Sequence, residues 1–402
     1  MKRLGRSWPN NLWREHGRVL LLYAGLSLLV TWPTIQHFTT AITSDGGDAR
    51  HLVWWLWRTR EALLGQQPLF YAPLVYYPLG ISLLANAEGP VAGLFALPFW
   101  GWGPEAAYNG TLLLGVTLTG YCMYVLARGL GFDRLVAFFA GLMLLMAPMH
   151  LAGLLAHVDK TFLGLFPLTL LAVQRALDPT GGCRRAIVVG GLLLITLLYD
   201  GWHFVLAALA VGFFLIAAWF SSERPHWPRL FKREVLIGMC CLLCVGPLLI
   251  AIVSASRSFE SSFNRNLISA ELQPDLAEFF LPGQSTQLFG PGTASFLAAH
   301  EVTGTIETAV ALAYVGLVLC GAALISRDRS AWRWLLFCLI CVSLALGPSL
   351  KVLGQTQFTE YRLPLILPYA FLTALPGLDF MRTPGRFMLI GYVGFGIAAS
   401  YG

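Results

Sequence analysis

Two aspartates separated by two glycines, Asp45-Gly46-Gly47-Asp48, are the residues best suited to acid-base chemistry. A carboxylate held beside a bilayer is partly desolvated, which makes it a stronger base. The glycines would let a substrate approach the backbone closely. Asp and Gly are also common in solvated turns, so the pattern by itself leaves a functional loop and a plain turn both open.

Four further ionisable residues stand at breaks between apolar runs. Glu88 precedes Gly89-Pro90, where it is either a second acidic group facing the same cavity or a helix-start residue favoured by the helix dipole. His157 and Asp159 follow His150 in a spacing that matches no tight metal signature, so we predict no metal and no cofactor, although a divalent ion stays open. His157 could bind a phosphate or orient a sugar hydroxyl, or could belong to an ordinary interfacial loop.

The fourth of these residues is Asp200, and a pair of arginines lies near the end of the chain. Asp200 follows Tyr199 at a corner between apolar runs, and ionisable groups at membrane depth are often functional. We therefore predict that Asp200 joins Glu88, His157 and Asp159 in binding substrate. Arg382 and Arg386 flank Thr-Pro-Gly and could hold a phosphate through bidentate hydrogen bonds, or could only snorkel to the membrane surface.

The composition indicates the elements that must position these side chains. Of 402 residues, 56% are hydrophobic and 12% are charged, whereas soluble domains are about 45–50% apolar and about 25% charged. A membrane-spanning helix needs about 20 mainly apolar residues, and such runs recur, so we predict an all-α polytopic membrane protein with roughly ten to eleven transmembrane helices. The net charge of +6 sits in short clusters between apolar runs, which argues against nucleic-acid binding.

The basic clusters also predict the topology, because Lys and Arg accumulate in cytoplasmic loops. The N-terminus is then cytoplasmic, and residues 39–88 form the first outer loop, in which the Trp-rich stretch from Arg50 to Leu64 forms an interfacial helix. Residues 254–303 form a second large outer loop. The positions of Lys and Arg alone define this topology, and the acidic candidates all fall on its outer side.

Three segments are expected along the chain. Residues 1–253 form an N-terminal transmembrane catalytic module, 254–303 the large outer loop, and 304–402 a C-terminal transmembrane region. The last apolar run begins near Met388 and is still apolar at Gly402, which predicts a truncated chain. No nucleotide-binding P-loop, serine-hydrolase or zinc-protease motif is present. The spans carry few charges, which weakens a transporter interpretation.

In the order of these features the chain resembles the GT-C superfamily of membrane glycosyltransferases. The resemblance rests on five motifs. They are an acidic motif in the first outer loop, the two motifs at the start and end of one membrane span, a His-x-Asp motif in an outer loop, and an Arg-x-Pro-x-Arg-Phe motif near the C-terminus. These motifs are Asp45 to Asp48, Gly103-Pro104-Glu105-Ala106-Ala107-Tyr108-Asn109, Tyr124 to Arg128, His157-x-Asp159, and Arg382-x-Pro384-x-Arg386-Phe387.

The resemblance implies an inverting transferase that takes a sugar from a polyprenyl-phosphate donor at the outer face of a bacterial plasma membrane. It assigns the catalytic aspartate to Asp48, with Asp45 as second choice, and the acidic residue of the second outer loop to Asp159. The chain lacks the acidic-x-acidic triplet of the family, which leaves metal dependence open. The acceptor would be a glycan, a lipid or a protein.

Two other functions remain compatible with the residues. A lipid flippase or small-solute transporter predicts a polar path through the spans. A non-catalytic envelope assembly protein predicts that Asp45, Asp48 and Asp159 lie far apart and fully solvated.

Overall fold

The structure is a computed structural model, and almost all of its regular elements are helices. It describes residues 12–44, 46, 48–84, 88–155, 157–221, 226–257, 272–281, 290–300, 302, 304–326, 328–358, 363–375, 378 and 381–402. The helices are α1 Leu12–Val30, α2 Ala49–Leu63, α3 Pro90–Ala96, α4 Pro104–Gly129, α5 Arg134–Leu145, α6 Pro148–Gly153, α7 Leu165–Leu177, α8 Cys183–Tyr199, α9 Gly201–Ser221, α10 Trp227–Arg257, α11 Gly290–Ala299, α12 Tyr314–Ile325, α13 Arg329–Ala345, α14 Pro368–Thr373 and α15 Phe387–Ala399. One short antiparallel hairpin pairs β1 (Tyr71–Ala72) with β2 (Ile81–Ser82).

Several helices have the length and composition of membrane spans. Within the described residues, 104–129, 201–220 and 227–255 are long and apolar enough to cross a bilayer, and α5 and α12 are shorter apolar helices. On α10 the side chains of Leu242, Leu243 and Ile250 are about 70% exposed, as expected for helices that face lipid. The prediction of a helical membrane protein is confirmed, whereas the count of ten to eleven spans stays a prediction.

The described residues form two compact units, one from 1–138 with 154–261 and the other from 139–153 with 262–402. Helix α4 is central to the first unit, where it contacts α1, α2, α3 and α7. Pro104 at its first position fixes a helical φ, and Glu105 and Arg128 in the end turns complement the helix dipole. The motifs predicted to open and close one span, residues 103–109 and 124–128, lie at the two ends of this helix, which is long and apolar enough to cross a bilayer.

Small residues on α4 bring its neighbours close. A Cβ at Gly110, Gly115 or Gly120 would collide with the side chain of Phe99, Thr161 or Tyr23, respectively. The hydroxyl of Thr119 donates to the carbonyl of Thr161 at 2.9 Å and accepts the amide of Leu163 at 2.8 Å. These contacts attach the segment that follows Asp159 to α4.

Helix α2 confirms the predicted helix in the Trp-rich stretch, and it supports the hairpin. Trp55 packs in a small core with Ala72 of β1 and Leu83. The Arg58 guanidinium, on the same helix, donates to the carbonyls of Pro68 and Tyr71. The Pro/Tyr/Gly-rich stretch after α2 is therefore irregular but ordered.

The second unit contains the end of α5, helix α6 and helices α11 to α15. Within it α15 packs along α13 and α12, and α14 packs on α13. In the described part of the stretch expected to be one large outer loop, 254–303, α10 continues to Arg257, a 3₁₀ turn covers Leu276–Phe279, and α11 covers Gly290–Ala299. The predicted division of the chain into three segments stays a prediction.

Candidate functional site

The first unit brings Asp48 close to the His157–Asp159 segment. Asp48 is the residue before α2, and its carboxylate makes no capping bond to the helix. The imidazole Nδ1 of His157 lies 4.0 Å from Asp48 Oδ2 and 3.9 Å from Asp159 Oδ1. One histidine therefore lies between two carboxylates from loops that are far apart in sequence. Both distances are too long for hydrogen bonds, so these contacts are electrostatic.

The two carboxylates have opposite environments. The side chain of Asp159 is 4% exposed, and its Oδ2 accepts a 2.9 Å hydrogen bond from the nearly buried ammonium of Lys160. The side chain of Asp48 is 72% exposed. The protein therefore does not desolvate Asp48 as expected from the sequence, and a bound substrate would have to exclude that water.

Glu88 lies close to helix α2 at His51, about one turn after Asp48. Its Oε1 lies 3.7 Å from Nε2 of His51, and the side chain of Glu88 is 20% exposed. The Glu88 carboxylate raises the pKa of His51, opposed by partial burial, and Asp48 and Asp159 add smaller contributions in the same direction. Three carboxylates, those of Glu88, Asp48 and Asp159, thus act on the imidazole of His51 at the start of α2.

The backbone around Glu88 is fixed from two sides. Glu88 forms an isolated antiparallel bridge with Asp200, and the Gly89 amide donates to the Tyr199 carbonyl at 3.0 Å. The indole of Trp55 on α2 donates to the Gly89 carbonyl at 3.0 Å. A Cβ at residue 89 would collide with the Leu198 carbonyl, so this close approach requires glycine.

Asp200 is buried, at 1% exposure, and its carboxylate has protein partners. Its Oδ1 accepts hydrogen bonds from the backbone amide of His203 at 2.8 Å and from His203 Nδ1 at 2.7 Å. We expected Asp200 to contact substrate, yet a direct contact would require opening this buried pair. The backbone of Asp200, through its bridge to Glu88, is what reaches the acidic cluster.

An open cleft of about 350 Å³ lies beside α2. It is lined by Arg50 and Val53 of α2, by the segment 40–42 that leads toward Asp48, and by Pro104 and Glu105 at the start of α4. The cleft therefore combines the acidic residue Glu105 with the basic residue Arg50, which is two residues after Asp48 along the chain.

The predicted arginine pair belongs to the second unit. The guanidinium of Arg386 donates from Nε to Glu307 Oε2 at 2.8 Å and from Nη2 to Oε1. Both side chains are largely buried, at 13% and 15% exposure. Arg382 is exposed. A phosphate at Arg386 would have to compete with this bidentate ion pair, whereas one at Arg382 would not.

The outcome differs among the residues predicted from sequence. Asp48, Glu88, His157, Asp159 and Asp200 are brought together in the first unit, and Asp45 lies outside the described residues. No group of three or more potential metal-ligating side chains occurs within the part of the chain that the structure describes.

Sequence reasoning missed two histidines, His51 and His203. The spacing of His51, three residues after Asp48 on one helix, was the available signal. For His203, the matching signal was its i,i+3 spacing from Asp200.

Comparisons with known proteins give one structural likeness. No protein-family model matches the sequence, and no curated protein matches it. The crystal structure of ArnT from Cupriavidus metallidurans bound to undecaprenyl phosphate is similar, with 15% sequence identity and a TM-score of 0.48. The match covers 98% of this chain and 60% of that one, so this chain spans about 60% of that protein's length.

Proposed function

We propose that the chain is a membrane glycosyltransferase that moves a sugar from a polyprenyl-phosphate donor to an acceptor hydroxyl at the outer membrane face. The observation that carries the proposal is the cluster in the first unit, where exposed Asp48 and buried Asp159 lie on either side of His157. One carboxylate is open to a substrate, and the other is held by Lys160. Such a difference in environment gives two like groups different roles.

Asp48 acts as general base in this proposal. It takes the proton of the acceptor hydroxyl, whose oxygen forms a bond to the anomeric carbon while the phosphate leaves with the electron pair of the broken bond. A single displacement of this kind inverts the configuration, as in single-step glycoside hydrolysis. His157 faces both carboxylates and orients Asp48, and the buried Asp159 fixes His157.

The phosphate of the donor needs a cation. Arg382 is the better candidate because it is exposed, whereas Arg386 is engaged by Glu307. Arg386 would orient the same segment through that ion pair and take part in phosphate binding only if the pair opened. A guanidinium that meets a departing phosphate stabilises the charge that develops on it. Both assignments are part of the proposal.

The alternative functions receive less support from the described residues. The assembly-protein interpretation predicts widely separated, solvated carboxylates, yet Asp48 and Asp159 both lie within 4.0 Å of His157. The transporter interpretation predicts ionisable groups along the spans. Two buried ionisable pairs of the first unit instead lie near helix ends: Asp159 with Lys160 lies in the turn before α7, and Asp200 with His203 lies where α8 ends and α9 begins.

Replacing Asp48 tests the proposal. In membranes supplied with a mixture of radiolabelled sugars on undecaprenyl phosphate, Asp48→Asn should lower sugar transfer by about 10²–10⁴-fold, the usual contribution of a general base. Asp133→Asn is the matched control, because Asp133 is exposed and caps α5, a role that Asn also fills. Unchanged transfer by Asp48→Asn would refute the base assignment.

A further inference from the structure

We propose that the buried Asp200–His203 pair is a positioning device that holds Glu88 against α2 in the acidic cluster. The inference rests on the proposed function for its catalytic meaning, but its geometry stands separately. From the sequence we expected Asp200 to contact substrate, but in this role it acts on Glu88 through the backbone bridge between the two residues. The pair lies at the break between α8 and α9, behind the residues that face Asp48.

The conformation of Asp200 is fixed by hydrogen bonds to its carboxylate. Its Oδ1 accepts two hydrogen bonds from one residue, at 2.7 Å from His203 Nδ1 and at 2.8 Å from the His203 amide. The side chains of Asp200 and His203 are 1% and 0% exposed. Because the acceptor and both donors are withdrawn from water, breaking either bond leaves a buried polar group without compensation. The backbone at the α8–α9 break is therefore held in one conformation.

The backbone at the α8–α9 break is hydrogen-bonded to the backbone of Glu88 and Gly89. Asp200 and Glu88 form a backbone bridge, and the next residue, Gly89, donates its amide to Tyr199. On the other side, the Gly89 carbonyl accepts the indole N–H of Trp55 from α2. The Glu88–Gly89 peptide thus lies between the α8–α9 break and α2, with no room for a side chain at residue 89.

This backbone arrangement also determines where the Glu88 side chain lies in the acidic cluster. With its backbone held, Glu88 directs its carboxylate to within 3.7 Å of His51, three residues after Asp48 on the same helix. If the α8–α9 break relaxed, Glu88 would move relative to α2. The contact between Glu88 and His51 therefore reports on the Asp200–His203 pair, although neither residue of the pair touches His51.

The choice of histidine at 203 also favours a positioning role. His203 stacks on Phe166 at a centroid distance of 5.0 Å and an interplanar angle of 7°. Its Nε2 is buried, with no hydrogen-bond partner among the described residues, and a buried nitrogen without a partner lowers stability. A phenylalanine would keep the stacking without that cost. What it would lack is the Nδ1–H that holds Asp200.

The test follows His51 by chemical modification of the purified full chain in nanodiscs. Diethyl pyrocarbonate reacts with neutral imidazole, so the pH dependence of His51 modification, read by mass spectrometry, gives the midpoint of its titration. In the wild type the midpoint should lie above the usual value of about 6.5, because Glu88 raises the pKa of His51. Glu88→Gln sets the reference for complete loss of this contribution.

His203→Phe should move the His51 midpoint downward, most of the way to the Glu88→Gln value. His203→Asn restores a donor near the Nδ1 position and should move the midpoint back toward the wild type. His203→Leu is a second donor-free variant in case His203→Phe is not recovered folded. Thr111→Val, which removes a buried hydroxyl bonded within its own helix, is the control and should leave the midpoint unchanged.

A wild-type midpoint in the folded donor-free variants would overturn the inference, as would an equal shift in Thr111→Val. Sugar transfer is measured in the same preparations. If the proposed function is right, His203→Phe lowers transfer and His203→Asn restores part of it. A shifted His51 midpoint in a chain whose wild type transfers no sugar would instead refute the proposed function and leave the positioning role standing.

Discussion

Asp48 and Asp159 show how the same functional group acquires different properties within one cluster. Asp48 keeps 72% of its side chain exposed at the start of α2, whereas Asp159 is almost fully buried beside Lys160. Only an exposed carboxylate can meet an incoming hydroxyl, so the proposed division of roles follows from burial. Their shared neighbour is His157, whose Nδ1 lies within 4.0 Å of an oxygen of each carboxylate.

A third carboxylate, Glu278 of the second unit, gives a prediction about pH. Burial raises the pKa of Glu278 to about 7, although its oxygens accept hydrogen bonds from the Asp275 amide at 2.8 Å and the Thr308 hydroxyl at 2.7 Å. The pKa of Glu278 is therefore higher in the folded chain than in the unfolded chain. Its contribution to stability is fully present at pH values below the unfolded-state pKa and is lost as the pH rises through the folded-state pKa. The loss between about pH 4.5 and pH 7 is at most roughly 3 kcal/mol.

Thermal unfolding of the detergent-solubilised chain at pH 5 and pH 8 measures this effect. The wild type should have the lower midpoint at pH 8, and Glu278→Gln should reduce the difference between the two midpoints. Asp328→Asn, at an exposed helix cap, should behave as the wild type. An undiminished difference in Glu278→Gln would show that Glu278 is not the responsible group.

At this scale the sequence indicated the residue types but not the pairs they form, and their common side of the membrane stays a prediction. Asp48, Glu88, His157 and Asp159 were all predicted for one face, and the structure places them in one cluster. The burial of Asp200 could not be predicted, because it depends on packing among α7, α8 and α9. The Glu307 partner of Arg386 was missed for the same reason, since the two are distant in sequence.

At the scale of elements, the helices that position the site were largely predictable. A proline at the first position, charges that match the dipole and a long apolar run predict α4 closely. The short apolar stretch from Pro90 to Trp102, flanked by Pro and Gly, is observed as α3 followed by a 3₁₀ turn. The hairpin β1–β2 and helix α11 were not predicted, because two-residue strands and a helix inside a polar loop leave little periodicity.

The close contact between the start of α3 and the end of α8 gives a prediction at this scale. Gly89→Ala places a Cβ against the Leu198 carbonyl, so the two elements must separate and the Gly89–Tyr199 and Trp55–Gly89 hydrogen bonds must lengthen. Overpacking of this kind costs about 1–3 kcal/mol. Both the thermal midpoint and the rate of sugar transfer should fall.

Gly101→Ala is the matched control, because a Cβ there meets nothing within 4 Å. It lies in the 3₁₀ turn that follows α3 and should change neither quantity. Equal losses in the two variants would indicate a general intolerance of substitution in this segment. In that case the bridge to α8 would not explain the effect of Gly89→Ala.

At the scale of the whole molecule, composition alone predicted a polytopic helical protein. Helices α4, α9 and α10 meet the length and hydropathy of spans. The number of spans could not be fixed from the sequence, because short apolar helices such as α5 and α12 can be half-membrane segments or parts of longer paths. Sidedness was predicted from the distribution of Lys and Arg.

The account depends on this sidedness, because a lipid-borne sugar can meet Asp48 only if the acidic cluster and the arginine-rich turns face opposite compartments. Arg50→Cys, two residues from Asp48, and the native exposed Cys183, beside Arg184 and Arg185, provide one label on each side. A membrane-impermeant maleimide applied to intact cells should label residue 50 at once and Cys183 only after permeabilisation. Labelling of both cysteines from the same compartment would contradict the account.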